Sequence, residues 1–224
     1  MKTYVNELKE FATPELKAFN AKLIPSTKYE ILGVATPSIR SLAKEIGMDV
    51  EFLNALPHKY HEENMLHAFL ITYAKVDINK RIKLIEEFLP FVDNWAVCDS
   101  LLRPTNPFTK YKESLLEFAY KLVKRPETYH IRFGIGLFLS FGLKNKDITK
   151  YLDCLLQIKN HDYYVEMMLA WFYATALINH ESEVLKLLTE KQLSTFVHNK
   201  TIQKAIESYR ISSELKQQLK NLKI

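Results

Sequence analysis

Apolar residues recur at intervals of three and four along almost the whole chain, and that period calls for α-helix. Leu66, Phe69, Leu70 and Tyr73 form one such stripe, and Leu115, Phe118, Ala119 and Leu122 form another. Glycine occurs only five times in 224 residues, and the eight prolines are scattered. So few turn formers over such a length favour helices joined by short loops over a sheet protein. The pattern predicts helices over 4–11, 14–23, 37–46, 49–56, 62–76, 79–89, 94–102, 109–124, 129–141, 147–158, 162–178, 182–190 and 199–222, the last broken near Ser212.

Several boundaries have a physical cause. In Thr13-Pro14 and Thr36-Pro37 a threonine stands where it can cap a helix, followed by proline at the first helical position, where its missing N–H costs nothing. Pro57, Pro90, Pro104 and Pro107 fall between helices. Each helix pair leaves an apolar face that needs a neighbour, and pairs spaced by about 35–40 residues are what HEAT-type arrays use. The expected fold is therefore all-α: a HEAT-like repeat α-solenoid, a curved array of antiparallel helix pairs forming one domain over 1–224. A compact, non-repetitive helical bundle is the alternative.

The charge balance is +5, with a pI near 9.0, which permits attraction to a polyanion without demanding it. Cys98 and Cys154 lack CxxC spacing and read as reduced structural thiols of a cytosolic protein. No stretch reaches the length of a membrane span, and Met1-Lys2-Thr3-Tyr4 is not followed by the apolar core of a signal peptide. A cytoplasmic monomer is expected, with no membrane partner, no cofactor and no metal.

Several chemistries find no support in the residues. No GxxxxGK[ST] or GxGxxG phosphate cradle and no GxSxG elbow is present. His58, His61 and His67 resemble a metal cluster, yet no carboxylate or cysteine completes a ligand set, so they read as a solvated loop and helix start. Trp95 and Asp99, in Asn94-Trp95-Ala96-Val97-Cys98-Asp99, lie four apart, which stacks an indole and a carboxylate one turn apart on one helical face. An indole there can grip a sugar or a cation while the acid stabilises developing positive charge; a helix-packing hydrogen bond is the plainer role for Asp99. Arg132 sits in an apolar helix, where a guanidinium must find an anion or several acceptors, for instance in a salt bridge between helices. Trp171 lies on another strongly apolar helix, and core packing is its default reading. Lys110, Lys112, Lys121, Lys124 and Arg125 either gather on a DNA-facing surface or solvate an outer face, and Lys200, Lys204 and Arg210 form a stripe open to the same two readings.

Taken in order, Leu32-Gly33-Val34-Ala35-Thr36-Pro37-Ser38-Ile39-Arg40, Asn94-Trp95 through Asp99-Ser100, Arg132, and Tyr163-Tyr164 through Trp171 resemble the AlkD family of HEAT-like repeat alkylpurine DNA glycosylases over nearly the whole chain. The resemblance implies a C-shaped solenoid holding duplex DNA on its concave face. The implied chemistry is hydrolysis of the N-glycosidic bond of cationic N3- and N7-alkylpurines without a buried base pocket. Asp99 would match the catalytic carboxylate, Trp95 and Trp171 the aromatic pair against the lesion's deoxyribose and backbone, and Arg132 a phosphate anchor. Arg40, closing the first motif, is carried with the DNA-binding set. The four side chains Trp95, Asp99, Arg132 and Trp171 would converge in the hollow.

There are also departures from the family pattern. Active relatives carry a basic, aromatic minor-groove helix ahead of the Leu-Gly segment; here Ala21-Lys22-Leu23-Ile24-Pro25-Ser26-Thr27-Lys28-Tyr29 contains a proline that breaks such a helix. Glu166-Met167-Met168 and Ala174 stand where relatives tend to carry cations. The chain thus resembles a divergent branch in which binding and excision are weak or lost. The expectation is a DNA alkylation repair protein of reduced or absent glycosylase activity. The alternatives are a non-excising HEAT-like scaffold for DNA structures or a protein partner, and a structural helical protein with its tryptophans packed in the core.

Overall fold

The computed structural model describes residues 2–102 and 110–224, and every regular element among them is helical. Pro104 and Pro107, and the first residue of the helix expected over 109–124, lie outside the described residues. Two isolated bridges, Ala12 with Val34 and Glu30 with Tyr60, are the β-pairing among the described residues. None of the described helices is long and apolar enough to cross a membrane. By its contacts the chain divides into two compact units, Met1–Tyr111 and Lys112–Ile224.

The first unit holds α1 (Val5–Lys9), α2 (Pro14–Leu23), α3 (Thr36–Ile46), α4 (Val50–Asn54), α5 (His61–Tyr73), α6 (Ile78–Phe88) and α7 (Trp95–Leu101). Helix α5 is the centre, packed between α3 and α7 and buried at every position from His61 to Thr72. A helix buried all round must satisfy its polar groups internally. The Glu62 carboxylate does so by accepting the main-chain N–H groups of Leu32, Gly33 and Val34 at 2.9, 2.8 and 3.3 Å. Gly33 has φ +96°, and a Cβ there would stand 2.5 Å from the Thr13 carbonyl oxygen and the Lys17 nitrogen, so only glycine fits. At the other end of α5, the buried Arg81 donates to the carbonyl oxygens of Ile71, Thr72 and Ala74 at 3.0, 2.8 and 2.5 Å, capping groups the helix leaves unpaired.

The histidines are not solvated, contrary to the reading from sequence. His58, His61 and His67 are all buried. His58 Nε2 and His67 Nδ1 lie 2.8 Å apart, His58 stacks on Phe52, and His67 stacks on Phe88. Burial pulls His58 down to about 4 and His67 well below its usual range, so both are neutral core residues. Among the described residues no group of three or more His, Cys, Asp or Glu side chains is placed to hold a metal ion.

The second unit holds α8 (Lys112–Leu122), α9 (Thr128–Phe141), α10 (Thr149–Leu156), α11 (Tyr163–Ala176), α12 (Glu181–Thr189), α13 (Thr195–Glu207) and α14 (Ser213–Lys220). Helix α9 packs on α8 and α11, and α11 packs on α13. Gly134 lets α8 approach: a Cβ there would meet Val123 at 2.8 Å and the Ala119 carbonyl at 3.1 Å. In both units a helix packs on the one two places further along, which is how stacked helix pairs bury their apolar faces. The fold is an all-α, HEAT-like repeat array.

Many boundaries shift by one to three residues, and two of the differences bear on capping. Helix α3 begins at Thr36 itself with Ala35 at the cap and no side-chain capping bond, whereas Thr13 does cap α2 by accepting from Leu16 N at 3.2 Å. The terminal stretch begins at Thr195 rather than 199, because the Ser194 hydroxyl caps Val197 N at 3.2 Å. It breaks before Ser212, which caps α14.

Candidate functional site

Helix α7 carries the Trp95–Asp99 pair, and its start is fixed by Asn94. The buried Asn94 Oδ1 accepts from Val97 N at 3.1 Å, the N-cap bond that sets the helical phase of both residues. With Oδ1 so engaged, Nδ2 faces His61 Nδ1 at 3.3 Å and Asp93 Oδ1 at 2.8 Å. His61 Nδ1 is then an acceptor, and burial lowers the imidazole's proton affinity; the ring is neutral, with its proton on Nε2. Asp93 in turn accepts from Thr27 Oγ1 at 3.0 Å and Lys28 N at 2.7 Å, tying the loop after α2 to the start of α7.

The pair opens onto a cavity of about 250 Å³ between α2, α3, α5 and α7. Its walls include Ile24, Val34, Ile39 and Met65, with the neutral His61 behind. Asp99 is the one formal charge among the described residues that line it. The Trp95 indole Nε1 donates to the Leu23 carbonyl oxygen at 3.2 Å, using an acceptor left over at the end of α2. That bond fixes the ring plane and leaves the ring face as what Trp95 offers a ligand. Phe19 and Leu23 of α2, 56% and 41% exposed, form an apolar rim that the sequence pattern did not single out. Arg40 is not among the lining residues: its guanidinium lies over the Phe69 ring at 5.4 Å, and its buried Nε has no hydrogen-bond partner among the described residues.

In the second unit, Arg132 on α9 is buried, and its Nη1 donates to the Tyr164 carbonyl oxygen at 2.7 Å in the first turn of α11. Trp171, two turns further along α11, is 45% exposed, so the core-packing reading for it does not hold. It follows Tyr164 by seven residues, which puts the two on one face of a helix otherwise mostly buried. Glu166 and Ala174, where the family pattern favours cations, are both buried here. The Glu166 carboxylate accepts from the Ser194 hydroxyl at 2.9 Å and lies 3.1 Å from His161 Nδ1, so it joins the start of α13 to α11. The acid at this position packs the unit together and is not a surface anion.

A part-exposed carboxylate and a fixed indole over a small cavity of mixed polarity can hold a sugar ring and favour positive charge beside it.

A comparison with curated proteins returns no match. The model of the DNA alkylation repair enzyme family matches residues 4–192, a stretch that contains the Asn94 cap, the Trp95–Asp99 cavity, Arg132 and Trp171. The chain belongs to the DNA alkylation repair enzyme family.

Proposed function

We propose that this protein is a DNA N-glycosylase of reduced activity, acting on duplex DNA that carries cationic N3- or N7-alkylpurines. The observation that carries the reading is the Asp99 carboxylate beside the fixed indole of Trp95, the one formal charge among the described residues that line their shared cavity. In the reaction the bond from C1′ to the purine nitrogen breaks, and its electron pair leaves with the base and cancels the base's positive charge. The sugar becomes an oxocarbenium ion; water adds at C1′ and releases one proton. Because the alkylated purine is already a good leaving group, the protein's task is electrostatic. Asp99 stabilises the oxocarbenium charge and orients the water, and Trp95 packs on the deoxyribose. Arg132 and Trp171 contact the DNA backbone, and Arg40 contributes a cation to binding. The protein works as a cytoplasmic monomer and needs no cofactor.

Two features support reduced activity. Between Leu23 and Thr36 there is no helix to enter the minor groove. Asp93 instead fastens that loop to the body of the first unit. The same observation favours a second reading, a non-excising scaffold that binds DNA structures or a protein. The two separate in one assay on N7-methylguanine duplex with enzyme in excess. Glycosylase action forms abasic sites with wild type and not with Asp99→Asn. A scaffold forms none, while binding DNA equally with or without Asp99.

A further inference from the structure

Four aromatic rings form an unbroken chain across the second unit, from α9 through α11 to α13. Tyr129 lies 6.0 Å from Tyr164 between ring centres, Tyr164 lies 5.3 Å from Tyr163, and Tyr163 lies 5.9 Å from Phe196. Lys200, one turn beyond Phe196, holds its Nζ over that ring at 5.9 Å. Tyr163 is 57% exposed and the other three rings are part-exposed. Beside Phe196 a depression of about 710 Å³ is lined by Lys200 and Lys223 with Asn199, Gln203 and Ile224, and Lys200 Nζ donates to Gln203 Oε1 at 2.8 Å.

We infer that this strip is a stacking platform for single-stranded nucleic acid, its rings taking unpaired bases and its two lysines a backbone phosphate. The inference rests on the DNA-directed reading of the chain, but not on excision. Aromatic faces left in water are a standing cost that a stacked ligand relieves. Every base has a face for such a ring, but a duplex hides those faces between neighbouring pairs; only unpaired bases can use the strip. The rings meet at tilts of 35° to 80°, so they are not closed into one mutual stack. The nearest carboxylate in sequence, Asp162, is turned onto its own helix and accepts from Tyr164 N at 2.8 Å, so it does not stand against a phosphate. Phe196, Lys200 and Lys223 lie outside residues 4–192, so the strip reaches beyond the stretch that matches the family.

The test is fluorescence anisotropy of a labelled oligothymidine of about 15 nucleotides, which cannot pair with itself, at low salt. Tyr163→Ala and Phe196→Ala should each weaken binding about fivefold or more, and Tyr163→Phe should retain it. Lys200→Gln should flatten the salt dependence. Unfolding midpoints should stay near wild type for Tyr163→Ala, since that ring is mostly in solvent. Excision from alkylated duplex, measured in parallel, should be unchanged in Tyr163→Ala, so loss of one property is distinguishable from loss of the other. Absence of oligothymidine binding by wild type, or binding that both alanine variants leave intact, overturns the inference. So does a preference of this strip for a proline-rich peptide over the oligonucleotide.

Discussion

The indole Nε1 of Trp95 donates to the Leu23 carbonyl oxygen at 3.2 Å, so the aromatic wall of the cavity is held by the last turn of a helix 72 residues earlier. Trp95→Phe keeps an aromatic face but loses that bond. It should cost about 1 kcal/mol of stability and lower excision less than Trp95→Ala, which removes the face. Urea unfolding and single-turnover rates on the same preparations check both halves.

Asn94 does two things with one amide: it caps α7 and it holds His61 in its neutral tautomer. Asn94→Asp retains the cap but presents an anion where Nδ2 faced Asp93 and His61. Asn94→Ala loses both functions. The alanine variant should lose about 1–2 kcal/mol of stability. The aspartate variant should shift the His61 titration upward, read from its ring resonances by NMR; an unchanged titration would show that the amide does not govern the ring.

Glu62 fastens the Leu32-Gly33-Val34 turn to α5 through three main-chain donors. Glu62→Gln leaves at most one acceptor oxygen for them and should cost about 2–3 kcal/mol, measured by denaturant midpoint. Gly33→Ala should destabilise similarly through its positive φ and the 2.5 Å approach of the Thr13 and Lys17 backbone.

The buried His58–His67 pair makes stability depend on pH. Both imidazoles are depressed, His58 to about 4, so between that value and the ordinary 6.5 the unfolded chain binds more protons than the folded one. Stability is therefore complete above pH 6.5 and falls as the pH drops toward 4. A loss of about 3–4 kcal/mol between neutral pH and pH 5 is expected in urea titrations, roughly half from each imidazole. His67→Gln should flatten the profile, and a flat wild-type profile would contradict the assignment.

Period and capping made most helices legible from sequence, because three- and four-residue apolar spacing and Thr13-Pro14 act locally. Ser194 carried the same local signal for the true start of α13, and the weak apolar pattern before Asn199 concealed it. The histidine cluster was misread for a different reason. A helix such as α5, buried on every side, has no polar face in its sequence to mark which way it turns, so its polar residues look solvated. Arg81 and Glu62 are likewise illegible from spacing, since each is satisfied by main-chain groups outside its own helix, for Glu62 nearly 30 residues away. Spacing alone put Trp95 and Asp99 on one face of α7. Phe19 and Leu23 joined them only through the packing of α2, which no local pattern encodes. Trp171 shows the limit from the other side: an apolar helix made it look internal, and it is 45% exposed.

The most direct measurement is the single-turnover rate of N7-methylguanine release from duplex DNA by wild type and by Asp99→Asn, with folding of both verified by thermal unfolding. A wild-type rate above the spontaneous one that falls about 100-fold or more on loss of the Asp99 charge is the predicted result. Equal rates for the two proteins, or a wild-type rate no faster than spontaneous loss of the base, would contradict it.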